Sequence, residues 1–169
     1  MILVRIEQSL VEAIRKDLER RHPFAAERVG FIKAKCAALP DGGILILGES
    51  YLPLKDSDYK PNPYAGATMN SDGIRAALQV SYGEKCSMLH VHMHEHSGRP
   101  RFSSIDLREN EKFVPNFFNV TPTMPHGAIV LSHDSYFGHI WLAKDQKPKE
   151  VDRFDITGKR IFSFLRFGK

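Results

Sequence analysis

The sequence predicts a mixed α/β domain of the α+β type, with a largely antiparallel sheet flanked by helices. Three observations carry that expectation. Short β-rich segments alternate along the chain with segments whose apolar residues recur at helical spacing. Turn signals such as Asp41-Gly42-Gly43 and Asp134-Ser135 join neighbouring strands as hairpins. The composition is that of an ordinary globular domain, with 42% hydrophobic and 26% charged residues in a chain of 169, enough for one core. It excludes disorder, collagen and coiled coil.

Residues 2–6 read as a strand. A helix follows, with Ser9 and Glu12 at capping-box spacing and a stripe of Leu10, Val11, Ile14 and Leu18. His22-Pro23 should end it, because the residue before proline avoids the α region. Residues 28–39 and 44–47 form the next two strands around the glycine turn. Residues 53–68 are rich in Pro, Asp and Lys and have no clear period, so they are expected to form a long loop. A second helix starts at Asn70 or Ser71, carries Ile74, Ala77, Leu78 and Tyr82, and ends at Gly83. Residues 86–94 read as a strand running into a loop at 95–102. Ser103 or Ser104 then caps a third helix reaching to about Lys112. Residues 128–132 and 136–142 form a hairpin, and 151–156 with 160–164 a last strand pair. With no repeat, linker or low-complexity tract, residues 1–169 read as a single domain.

No apolar run approaches the roughly 20 residues that span a bilayer, and Arg5 interrupts the short apolar start, which is no signal peptide. Two cysteines, Cys36 and Cys86, cannot make a disulfide framework. They point to a reducing, cytoplasmic setting and read as buried free thiols. A net charge of +4 is a weak field, so neither nucleic acid nor membrane is an expected partner.

Histidine is the anomaly: of eight, four stand at alternate positions, His90, His92, His94 and His96. Alternate side chains of a strand share a face, so two neighbours can reach one ion at the strand end. Asp106, at the start of the third helix, can be the third ligand. Three protein ligands with one open position are the arrangement of a catalytic zinc site. Such a site also needs a proton shuttle and a donor for the oxyanion. Ser103 lies one turn before Asp106 and can offer a hydroxyl. His92 with His94 is the expected pair. A register slip of two residues keeps the face and would make the pair His90 with His92. His126, His133 and His139 read as structural or surface residues.

His92-Met93-His94, eight residues, then Ser103-Ser104-Ile105-Asp106 resembles the JAMM motif of the JAB/MPN metalloproteases. Upstream, Glu27-Arg28-Val29-Gly30-Phe31-Ile32 stands where that family carries a glutamate between its first long helix and a strand. The spacer before Ser103 is one residue longer than usual, Met93 and Glu95 replace the common neighbours of the second histidine, and His90 and His96 are extra.

The resemblance implies a single JAB/MPN-like domain holding Zn2+ through His92, His94 and Asp106. It further implies Glu27 as general acid/base and Ser103 as oxyanion donor. The implied activity is a zinc-dependent isopeptidase or peptidase, cutting the amide after the C-terminal tail of ubiquitin or a ubiquitin-like protein. Its partners would be ubiquitin-like proteins or their conjugates, with E1-like and E2-like proteins of the same pathway. The rival readings are an inactive scaffold of the same fold and a peptidase that processes a sulfur-carrier-type precursor. Loops 53–68 and 95–102 are the expected holders of the tail.

Overall fold

The computed structural model describes residues 1–21, 25–62, 66–158 and 162–165. In chain order the elements are β1 (Ile2–Glu7), α1 (Gln8–Leu18), β2 (Val29–Ala38), β3 (Ile44–Pro53), α2 (Ser71–Glu84), β4 (Ser87–Met93), α3 (Ser104–Phe113), β5 (His126–Leu131), β6 (Tyr136–Trp141), β7 (Lys149–Glu150), β8 (Arg153–Thr157) and β9 (Phe162–Leu165). The described strands form one sheet in the order β7-β6-β5-β4-β2-β3-β1-β8-β9. Among the described residues, no helix is long and apolar enough to cross a membrane.

The mixed α/β class holds, but the sheet is mixed rather than largely antiparallel. β1 runs parallel to both β3 and β8, and β4 runs parallel to β5. A parallel pair needs a crossover, where an antiparallel pair needs only a tight turn. The sequence shows helices between strands but not which strand each crossover returns to. The two hairpins are present as β2–β3 and β5–β6. The last pair is present as β8–β9, with Arg160 of that reading outside the described residues.

The sheet has apolar residues on both faces. On one, α1 lays Val11, Ile14 and Leu18 over Val4, Ile6, Ile32, Leu89 and Val91. On the other, Phe31, Met88, Phe113, Phe117 and Trp141 pack together beneath α2 and α3. Adjacent residues Phe31 and Ile32 of β2 enter opposite cores, as do Met88 and Leu89 of β4, because successive side chains leave opposite sides of a strand. β4 is buried along its whole length. Its odd-numbered residues face α1, and its histidines face α3.

Helix ends correct two expectations. α1 begins at Gln8, directly after the strand, and its N-cap is Glu7, with no side-chain cap bond. Ser9 is therefore inside the helix and cannot cap it. The reason is that β1 stays paired with β8 up to Glu7, opposite Thr157. His22 and Pro23, expected to stop this helix, lie outside the described residues. Asn70 does cap α2, its Oδ1 accepting the amides of Asp72 and Gly73. That helix runs past Gly83 and closes at Lys85 in the left-handed region, at φ 52°. Its buried face is Gly73, Ala77 and Ser81. Tyr82 is 61% exposed, with the Lys85 ammonium 4.1 Å above its ring. Small residues let α2 sit close: a methyl group on Gly73 would meet Leu54 and Asp58 at 3.2 Å.

The long loop is more ordered than its composition suggests. β3 runs on to Pro53, a 3-10 turn follows at Asp56–Asp58, and Tyr59 bridges to Met69.

His126 is a structural histidine. Its Nδ1 accepts the Met88 amide at 3.1 Å, so Nε2 carries the proton and faces the Thr121 carbonyl at 3.1 Å. Burial lowers its pKa from 6.5 to about 4.

Two predictions follow from these elements. Asn70→Ala should cost about 1 kcal/mol in urea unfolding, whereas Ser9→Ala should change stability by less than about 0.5 kcal/mol; equal effects would reject the observed helix starts. Between about pH 6.5 and 4 the unfolded chain protonates at residue 126 while the native chain does not, so stability falls with falling pH. Across that window His126 should account for about 3 kcal/mol of the loss, measured as the difference in pH dependence between wild type and His126→Gln.

Candidate metal centre

Three elements bring the site together. The first is β4. His90, His92 and His94 follow one another along one face, with ring centroids 5.8 Å and 5.1 Å apart. β4 ends at Met93, and the His94 amide still donates to the Leu131 carbonyl at 2.9 Å. His94 therefore stands where the strand leaves the sheet.

The second is the start of α3. The Ser103 hydroxyl accepts the Asp106 amide at 3.1 Å, and the Asp106 carboxylate accepts the Ser103 amide at 2.8 Å. This capping box aims Asp106 Oδ2 at the histidines, 3.6 Å from His92 Nε2 and 4.0 Å from His94 Nε2.

The third is the bend before β2. Val29 pairs with His92 in an antiparallel register, so Glu27 comes alongside His94, with Oε1 4.0 Å from His94 Nε2. One ligand atom each from Glu27, His92 and His94 lie within 4.8 Å of one another.

This donor set fits a metal ion. Asp106 Oδ2 lies 3.6 Å and 4.0 Å from the Nε2 atoms of His92 and His94, wider than the separation of about 3.4 Å between ligand atoms joined to one tetrahedral zinc by bonds of 2.0–2.1 Å. Among the described residues, both ring nitrogens of His92, like those of His90, are buried without a hydrogen-bond partner, and such groups are costly unless an ion or water satisfies them. The electrostatics agree. Burial pushes the Asp106 carboxyl up, but His92 together with the Ser103 hydroxyl and amide outweighs it and holds Asp106 well below the usual range. Burial, then His92, holds His94 low, which keeps the imidazole neutral, as a metal ligand must be. Burial pushes Glu27 the other way, upward.

All five expected residues are thus neighbours. Ser103 has a visible job as the cap of the helix that carries Asp106. His94, rather than His90, stands beside Asp106 and Glu27. His90 lies deeper, its ring 5.6 Å from Phe31 and 5.0 Å from Phe113, and burial lowers its pKa to about 3. His96 is exposed, with Nδ1 2.9 Å from the Ser97 carbonyl.

A cleft of about 310 Å³ opens onto the site, lined by Glu27, His92 and Asp106 with Asn62, Met69 and Phe113 among others. The loop 53–68 reaches this lining. The segment 95–102 is tied to the β5–β6 end of the sheet and, through Phe102, lies 5.9 Å ring to ring from His92. Gly98 donates its amide to Asp134 and accepts the Ser132 hydroxyl, Arg99 pairs with Glu150, and Phe102 packs on Phe137. These contacts anchor the start of α3.

Sequence reasoning missed the residues that hold Glu27 in place. Arg28 is 3% exposed. Its guanidinium donates to the Arg20 and Arg21 carbonyls just past α1 and to Asp56 at 2.9 Å. The Tyr59 hydroxyl accepts the Val29 amide and donates to the Val29 carbonyl, at 2.9 and 3.1 Å. Gly66 accepts the Glu27 amide at 2.8 Å. Nothing in the local pattern around Arg28 or Tyr59 marks them, because their partners come from distant segments.

No protein-family model matches the chain, and no curated protein matches it. Among solved structures, the chain is similar to the Trichoplax adhaerens STIL N-terminal domain at a TM-score of 0.39 and 8% identity. The likeness covers 82% of this chain and 40% of that one, so this chain spans less than half of its length. It is too low to define a fold family or a function.

The Arg28 fork leads to a prediction. One ammonium cannot reach three acceptors in different directions, so Arg28→Lys should cost about 2 kcal/mol in denaturant unfolding. Wild-type stability in that variant would show that the fork is dispensable.

Proposed function

We propose that this protein is a zinc-dependent isopeptidase or peptidase of the JAMM type, built on a JAB/MPN-like domain. One observation carries the reading: Glu27, His92, His94 and Asp106, from three separate elements, come together beside a cleft that Glu27, His92 and Asp106 line, with Ser103 capping the helix that bears Asp106. His92, His94 and Asp106 would hold the ion. Zinc bound there supplies Lewis acidity and a water ionised near neutral pH.

The side chains carry the remaining work. Glu27 takes a proton from the attacking water at its carboxylate and returns it to the leaving amine. Its half-buried position, which raises its pKa, brings it nearer the range where it can do both. The Ser103 hydroxyl donates to the carbonyl oxygen as negative charge develops there. Asp106, held ionised by its cap, keeps its charge for the metal. Burial pushes both thiols, Cys36 and Cys86, up, which opposes a thiolate nucleophile.

The substrate class proposed is the C-terminal tail of a ubiquitin-like protein, lying as an extended strand in the cleft. The setting proposed is cytoplasmic, beside E1-like and E2-like partners.

The purified protein should carry one zinc per chain and release the tag from a ubiquitin-like fusion faster than from a short Gly-Gly peptide. Glu27→Gln should keep zinc and lose at least about 100-fold in kcat. Protein that purifies without zinc would favour the inactive scaffold. Faster cleavage of short peptides would favour a small-peptide or sulfur-carrier peptidase. Full activity in Glu27→Gln would remove Glu27 from its role.

A further inference from the structure

Glu27 lies in the bend before β2, and a glutamate side chain in such a segment has several rotamers open to it. Something must choose the one that points at His94. The backbone of Gly66 lies against the carboxylate. A Cβ built on Gly66 would stand 2.7 Å from Glu27 Oε2 and 2.9 Å from its carboxyl carbon, closer than any non-bonded contact allows. The same residue accepts the Glu27 amide at 2.8 Å. Gly66 therefore grips the Glu27 backbone and leaves room for its carboxylate. The stretch that carries Gly66 is itself held, since the Lys60 amide donates to the Thr68 carbonyl and Tyr59 bridges to Met69. The carboxylate then sits between this backbone on one side and His94 Nε2, 4.0 Å from Oε1, on the other.

We infer that Gly66 is a positioning residue for Glu27, its missing side chain being the space that lets the carboxylate face the metal ligands. The three atoms nearest a methyl group at position 66 all belong to the far end of one flexible side chain, Glu27. The carboxylate, rather than the backbone, gives way. The predicted lesion is thus confined to the direction of one carboxylate, with the fold and the ligands His92, His94 and Asp106 left in place. This inference rests on the proposed role of Glu27 as proton shuttle, but it is a claim about geometry that can be read without turnover.

The test compares zinc-loaded wild type with Gly66→Ala, Glu27→Asp and the double variant. Crystal structures of the first two are expected to show the Glu27 carboxylate displaced by about 1 Å or more in Gly66→Ala, with zinc at full occupancy and the 25–30 backbone unmoved. Chelator competition should give the same zinc affinity within about threefold. On a ubiquitin–aminocoumarin amide, kcat should fall about 100-fold with KM nearly unchanged. The shorter carboxylate of Glu27→Asp avoids the added methyl group, so Gly66→Ala should cost far less in that background than alone, a coupling that a general loss of stability would not produce. An unmoved carboxylate overturns the inference, as does loss of zinc from Gly66→Ala or a strictly additive double variant. If wild type cleaves no probe, the proposed function fails, and the crystal comparison alone still decides the positioning claim.

Discussion

The antiparallel register of β2 against β4 is the constraint on which the site depends. Val29 stands opposite His92, and the pairing continues unbroken to Ala34 opposite Ser87. That register carries the chain before β2 past the point where His94 leaves the sheet, and so sets Glu27 beside it. A one-residue slip would turn His92 towards α1 and put Val91 or Met93 in its place. The upper end of β2 has an exposed weakness, because β3 stops pairing at Pro53, opposite Gly30. Val29 therefore lacks a strand partner on that side. The Tyr59 hydroxyl fills both positions, accepting its amide and donating to its carbonyl, which satisfies backbone groups that cannot be left bare when buried.

The second constraint is electrostatic. β4 places imidazoles on a face otherwise occupied by Phe31, Phe113 and Phe117. In that setting desolvation favours neutral histidine, which suits a ligand. The two carboxylates at the cleft are then pushed apart by their surroundings. Asp106 lies in the first turn of α3, where its cap bonds and the helix dipole favour the anion, and its pKa falls. Glu27 is half-buried in the bend before β2, and that desolvation raises its pKa. The two environments therefore move the two acids in opposite directions.

Much of this was legible in the order of residues. The alternation of His90, His92, His94 and His96 implied a shared face, and Ser103 with Asp106 had the spacing of a cap. The Asn70 cap was local too, as its bonds reach only two and three residues ahead. Local inference failed where a distant segment decided the outcome. Ser9 looked like a cap, but the pairing of β1 with β8 carries the strand through Glu7. Gly83 looked like a helix end, but α2 continues to a left-handed Lys85.

By itself, then, the sequence determined the class of fold, the position of most elements, and which histidines share one face of a strand. Those properties follow from hydrophobic period, turn chemistry and short-range spacing, which are functions of neighbours along the chain. Only the tertiary structure decided the mixed sheet, the choice of His94 over His90 beside Asp106, and the Arg28, Tyr59 and Gly66 supports around Glu27. Each of these depends on which crossovers return to which strand, and so on contacts between segments whose local patterns carry no mark of one another.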